Sequence, residues 1–303
     1  MELYAEWLLE IAAPEALIYT FLKACQIWFC KTKSRDLLEQ SCEVTMRTLY
    51  QLEDGPEKLN LQACTLSTQA KLADIIGDHT KAIELIKVAC AIRMQETPLK
   101  KAQVYGTVCK VGHYHYKACQ YEESERWYEL SGAWWQSLIE DGDEPRGRLA
   151  PHLVMYGYCL LRLRQFNKAQ ELFLNLIPQL ASEGPSGCNM LALGWVGLAA
   201  AEIHQQDYDA AEIHYIEAES AFFEKLFAAD ISSSEKNVAE TGIKLVRRRL
   251  EITRAQRAAQ HIDALSEIAE AVSQLDLADC EVGERMLRET TEGSFDVEES
   301  NAW

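Results

Sequence analysis

Two histidines, His113 and His115, each stand four residues from a cysteine, Cys109 and Cys119 respectively. Imidazole and thiolate are zinc ligands, so the spacing first suggests a metal. On a helix, positions two apart point away from each other, so the two histidines cannot share one ion. Each His–Cys pair offers two ligands where structural zinc takes four, and no third stands nearby; no metal is expected. Neighbouring carboxylates, Glu122 with Glu123 and Asp207 with Asp209, would be the material of acid–base catalysis. They fall in turns or first helical turns, where the helix dipole favours solvated acids. No nucleophile elbow, phosphate-binding glycine loop, dinucleotide fingerprint, zinc-protease helix or calcium loop occurs. Neither catalysis nor a cofactor is expected.

A second set of side chains carries recognition chemistry. Lys33, Lys71, Lys117 and Arg162 are cations, interleaved with Phe29, His113, Tyr116, Tyr158 and His204. Ammonium and guanidinium groups beside rings can hold a carboxylate through charge-assisted hydrogen bonds. The chain as a whole has 47 acidic and 30 basic residues and a net charge of −17, so a row without acids stands against the background. The same charge disfavours nucleic acid, where binding depends on neutralising phosphates, and anionic membranes.

These residues are placed by an internal repeat. Segments 77–86, 119–128, 164–173 and 205–215 align on a ring residue, His79, Tyr121, Phe166 and Tyr208, at steps of 42, 45 and 42. Three residues later comes Ala82, Ser124, Ala169 or Ala211; seven later, Ile86, Tyr128, Phe173 or Tyr215. Nine before the ring stands Ala70, Gly112, Gly157 or Ala199. Steps of three and four keep one helical face. Each repeat therefore predicts two antiparallel helices around a tight turn, with small residues letting backbones approach and rings wedging between neighbours. Such a hairpin cannot cover its own apolar faces, so its neighbours must. Gly and Pro break the chain at 53–56, 141–147 and 182–187.

The spacing predicts hairpins over about 15–50, 60–95, 102–139, 149–181 and 189–228. A capping pair of helices over 233–275 follows, opened by a capping box at Ser232 and Glu235. Residues 276–303 carry nine acids against two bases and read as an acidic disordered tail after a repeat domain of 1–275. The apolar stretch 16–29 is preceded by Glu6, Glu10 and Glu15 and interrupted by Lys23, which reads as a buried first helix, not a signal peptide or membrane span. Ten cysteines without a CxxC pair, mostly in apolar helices, read as reduced thiols of a cytoplasmic or nuclear protein. Lys244, Arg247, Arg248, Arg249, Arg254 and Arg257 share one predicted helix, and their expected partners are the acidic tail or Glu251.

Over residues 60–225 the pattern resembles the tetratricopeptide repeat superfamily, carried by Phe166/Ala169, Tyr208/Ala211 and Trp195. Its period is similar to the 42-residue repeats of kinesin light chains, as are Ala91-Ile92-Arg93 and Ala211-Glu212; Cys119 stands where glycine is usual and Ser124 where alanine is. The resemblance implies an all-α, right-handed solenoid of stacked hairpins that binds proteins. In such a solenoid the first helix of each hairpin lines the concave face. Positions four and eight before the ring then form a groove: Lys33, Lys117, Arg162 and His204, with Phe29, Lys71, His113 and Tyr158, and Tyr116 alongside. An acidic protein or peptide segment is the expected partner, in an adaptor or, as the rival reading, in a peptide- or ligand-sensing regulator.

Overall fold

The computed structural model describes residues 35–49, 54–96, 99–140, 150–182, 184, 187–228 and 231–260. The expected helix over 15–30, the second capping helix and the acidic tail lie outside them, as do Phe29 and Lys33. Among the described residues the chain is all-helical: α1 (Arg35–Leu49), α2 (Pro56–Ile75), α3 (His79–Gln95), α4 (Lys101–Lys117), α5 (Tyr121–Glu140), α6 (Ala150–Arg162), α7 (Phe166–Ser182), α8 (Cys188–His204), α9 (Tyr208–Leu226) and α10 (Ser233–Gln260). None of these helices is long and apolar enough to cross a membrane. The helices divide into two compact units, α1–α5 and α6–α10, with the boundary after Pro145. In the first, each helix packs on the next from α1 to α5. In the second, α6, α7 and α8 pack on one another, α9 packs on α8, and α10 packs on α9.

The four tight turns are built alike. At the end of each first helix one residue adopts the left-handed conformation: Gly77, Cys119, Arg164 and Gln206, with φ of 82°, 58°, 57° and 64°. The next amide reaches back five residues: Asp78 to the carbonyl of Ala73, Gln120 to His115, Gln165 to Leu160 and Asp207 to Glu202, all at 2.9 Å. The left-handed residue itself bonds three residues back, which closes the paired hydrogen bonds of a Schellman turn and satisfies the helix's last carbonyls. The second helix starts at once, with the ring residue as its first member. Asp78 and Asp207 cap it through their carboxylates, which accept from the amides of Lys81 and Ala210.

Only the first of these turns uses glycine at the left-handed position. A side chain there costs roughly 1–2 kcal/mol, partly offset because glycine loses more chain entropy on folding. Arg164→Gly and Gln206→Gly should each raise stability by about 0.5–1 kcal/mol, read as a higher urea midpoint at an unchanged slope. An unaltered or lower midpoint would contradict the strain.

The seam between paired helices is the repeated one. Ala82, Ser124, Ala169 and Ala211 are each fully buried, as are Ile86, Phe173 and Tyr215, with Tyr128 nearly so. Ser124 Oγ donates to the carbonyl of Gly112 at 2.8 Å, so the small residue after the ring lies directly against the small residue nine before it. A serine fits a position otherwise held by alanine because its hydroxyl finds this carbonyl. Phe173 shows the wedge. A Cβ placed on Gly157 of α6 would lie 2.3 Å from its Cζ, and one on Gly197 of α8 would lie 2.2 Å away. The ring is held between two glycines on different hairpins, with Tyr158 edge-on at 5.9 Å.

The capping box forms as expected: the Ser232 amide donates to Glu235 Oε2 at 2.9 Å, and the Glu235 amide to Ser232 Oγ at 3.2 Å. Lys225 of α9, nearly buried, adds an ion pair to Glu235 Oε1 at 2.7 Å. Burial pushes the Glu235 carboxyl up, but the hydrogen bonds from Lys225 and Ser232 outweigh it and hold it below its ordinary value.

Candidate partner-binding face

In the first unit, Lys71 of α2 is half-buried, and His113 and Tyr116 of α4 are buried. Tyr116 packs edge-on against Tyr121 with ring centres 5.5 Å apart. Lys117 turns to the preceding hairpin: its Nζ lies 2.5 Å from Asp74 Oδ2, and both side chains are only 6% exposed. The other oxygen of Asp74 faces His79 Nδ1 at 3.2 Å. One carboxylate at the end of α2 therefore joins the ring residue of its own turn to the last residue of α4.

The second unit repeats the reach with different chemistry. His204, four before its ring like Lys117, stacks on Phe166, the ring of the preceding turn, at 4.2 Å and 15°. The Gln205 amide nitrogen beside it donates to Asn167 Oδ1 and Gln170 Oε1 at 3.2 and 3.1 Å. Tyr158 is buried, and its hydroxyl donates to the Leu193 carbonyl of α8 at 3.1 Å. Arg162 is half-buried on the last turn of α6. Of the expected recognition residues, Lys117, Tyr158 and His204 thus have defined tasks within the fold.

The histidine–cysteine pairs do not converge. Cys109 is fully buried, whereas Cys119 is exposed in its turn. His115 faces Gln120, with Nδ1 2.6 Å from Oε1, and the buried Nε2 has no hydrogen-bond partner. Burial holds the imidazole below its ordinary pKa, against the opposing pull of Gln120, so His115 resists charging. Among the described residues no three His, Cys, Asp or Glu side chains converge to hold a metal ion.

Two groupings, and the partners of a third, escaped the sequence. Glu202, buried on α8, lies 2.7 Å from His214 Nδ1 of α9, and His214 stacks on Trp195 at 5.0 Å. Glu202 and His214 stand six residues on either side of Tyr208, which was the available signal for a pair across the hairpin. The Arg93 guanidinium is buried at the end of α3, hydrogen-bonded to Gln103 and 3.4 Å from Cys64 Sγ. Beside it Glu96 is buried with Oε1 unbonded; burial pushes its carboxyl up, opposed by Arg93 and Lys100.

The third concerns three arginines of α10, whose acids are not Glu251; the tail lies outside the described residues. Arg247 pairs with Glu219 at 2.6 Å, Arg254 with Glu212 at 2.7 Å, and Arg257 with Asp209 at 2.9 Å and Glu212 at 2.6 Å. All three acids lie on α9. These three arginines tie α10 to its neighbour, with Arg247 also 5.5 Å from the Phe223 ring centre.

No family model matches the sequence, and no curated protein matches it. Among solved structures, BtubC (BKLC) from P. vanneervenii is similar, with a TM-score of 0.55 and 17% identity over 78% of this chain and 89% of that one. The chain has the fold of tetratricopeptide-like helical repeat proteins. A Rap protein complexed with Competence and Sporulation Factor aligns over 95% of both chains, at TM-score 0.48 and 12% identity. The tetratricopeptide-like frame accounts for the four equivalent turns and the buried small-residue seam.

Proposed function

We propose that the chain is a scaffold that holds another protein, by an acidic segment, and does not transform it. The observation that supports this reading is the repetition itself. Four hairpins spend their recurring positions (ring, small residue, wedge) on stacking, which leaves the side chains of the remaining helix faces to read a partner. In this reading Lys71 of α2 and Arg162 of α6, each on the first helix of its hairpin, meet carboxylates of a partner, each within its own unit.

The test is affinity capture on the intact chain with identification of bound proteins, followed by direct titration of the leading partner. Lys71→Glu and Arg162→Glu should weaken that partner about tenfold or more, as expected when like charge replaces a charge-assisted bond. Unchanged affinity in both variants would remove the acidic-segment reading. Failure to retain any protein under low-salt conditions would remove the scaffold reading with it.

A further inference from the structure

In the first unit the second helices of two successive hairpins, α3 and α5, stand side by side over α4. Each packs on α4. Lys87 of α3 lies over the Trp127 ring of α5, 5.7 Å from its centre. The outer surface between the two helices is apolar. Val88 is 50% exposed and Leu130 40%, and Ala91 is exposed beside Val88. Trp127 and Trp134 are partly buried and rest on the core of α2, α3 and α4. At 100° per residue Trp127, Leu130 and Trp134 form one stripe along α5. Ala91 lies on the side of α3 that also carries Lys87, and so borders the same space.

Hairpin stacking does not require this stripe. Its residues stand six, nine and thirteen after the ring of their turn. The same positions hold Leu172, Asn175 and Gln179 in α7, and His214, Glu217 and Ala221 in α9. Two indoles beside an open leucine belong to this hairpin and not to the repeat. Exposed apolar patches mark places where another surface docks, and tryptophan is prominent among the side chains that carry such contacts. The flank of the stripe selects the partner. Glu122, Glu129 and Glu140 recur at steps of seven and eleven, fall on one side of α5 next to Leu130, and are all exposed. The one base of α5, Arg126, is paired with Glu123. On α3 the exposed Lys81 and Glu84 offset each other. The acidic edge is about 27 Å long, or five helical turns. We infer that the outer groove between α3 and α5 is a docking surface for a basic amphipathic helix of another protein. Apolar residues of that helix, at three- and four-residue steps, lie against Val88, Leu130 and the two indoles, and its Lys or Arg side chains meet Glu122, Glu129 and Glu140. This inference does not rest on the acidic-segment reading, which concerns Lys71 and Arg162.

The probe is a helical peptide of about 18 residues, long enough to span the acidic edge, with leucine on one face and lysine on the other. Its twin with glutamate in place of lysine is the control. Titrated into the full-length chain, the leucine–lysine peptide should bind and the leucine–glutamate peptide should not. Leu130→Asp should weaken binding about tenfold or more, although it adds a negative charge. General attraction of a cationic peptide to a chain of net charge −17 would be unchanged or stronger in that variant. Leu174→Asp, at a comparably exposed leucine of α7, should leave the affinity as in the unaltered chain. Val88→Asp should act like Leu130→Asp, and it decides the matter if that variant does not fold. Unchanged affinity in these two variants, or an equal loss with Leu174→Asp, overturns the inference. So does equal binding of the two peptides, or binding of neither. A dimer of the chain alone that Leu130→Asp dissolves would identify a second copy as the occupant and overturn it as well.

Discussion

Gly157→Ala should destabilise the second unit by about 2–3 kcal/mol, although alanine is the better helix former. The new methyl would lie 2.3 Å from Phe173 Cζ, far inside van der Waals contact. The ring has little room to retreat, because Gly197 lies so close on the far side that a Cβ there would also clash with it, and Phe173 is fully buried. Relief must come from separating α6 from α7, which opens the seam around Ala169. Shrinking the ring should therefore rescue the variant: Gly157→Ala with Phe173→Leu is expected to recover at least half of the loss. Urea unfolding of the four proteins gives the coupling directly. Gly157→Ala as stable as the parent, or additive losses in the double variant, would show that the wedge is loose.

Asp74→Ala should cost about 3 kcal/mol or more, the largest effect expected of any single charge in the first unit. Its carboxylate and the Lys117 ammonium are both almost fully withdrawn from water, and His79 shares the same acid. Removing the acid alone keeps a desolvated ammonium without the carboxylate it was paired with. Removing both charges is different, because two ions no longer have to be taken out of water. Asp74→Ala with Lys117→Met should lie within about 1 kcal/mol of the parent. Thermal or urea unfolding of the two single variants and the double variant decides this. A double variant as weak as Asp74→Ala would mean that Asp74 acts through His79 and the turn, not through Lys117.

The hairpins were legible because the residues that define them act locally. A ring, then Ala or Ser three later, then a large apolar residue seven later, marks one face of one helix, and that face is the buried one at Ala82, Ala169 and Ala211. Ser232 and Glu235 were legible for the same reason, since a capping box closes within four residues. What the sequence could not place was the reach of long polar arms. Counting back four residues finds the helix face of Lys117 and His204, but their partners, Asp74 and Phe166, lie 43 and 38 residues away. The counting is blind to whether an acid or a ring waits on the neighbouring turn. The arginines of α10 misled in the same way. Arg247, Arg254 and Arg257 reach Glu219, Glu212 and Asp209, which the packing of α9 against α10 brings close.

The place of Phe173 bears on how the second unit opens. One ring fills the space beside Gly157 and beside Gly197, and the Tyr158 hydroxyl also spans from α6 to the α8 backbone. Neither hairpin can swing away without stripping the shared ring of half its contacts, so end-fraying of the kind open repeat arrays show is suppressed here. These two hairpins breathe together or not at all, and a partner gripping either one stiffens both.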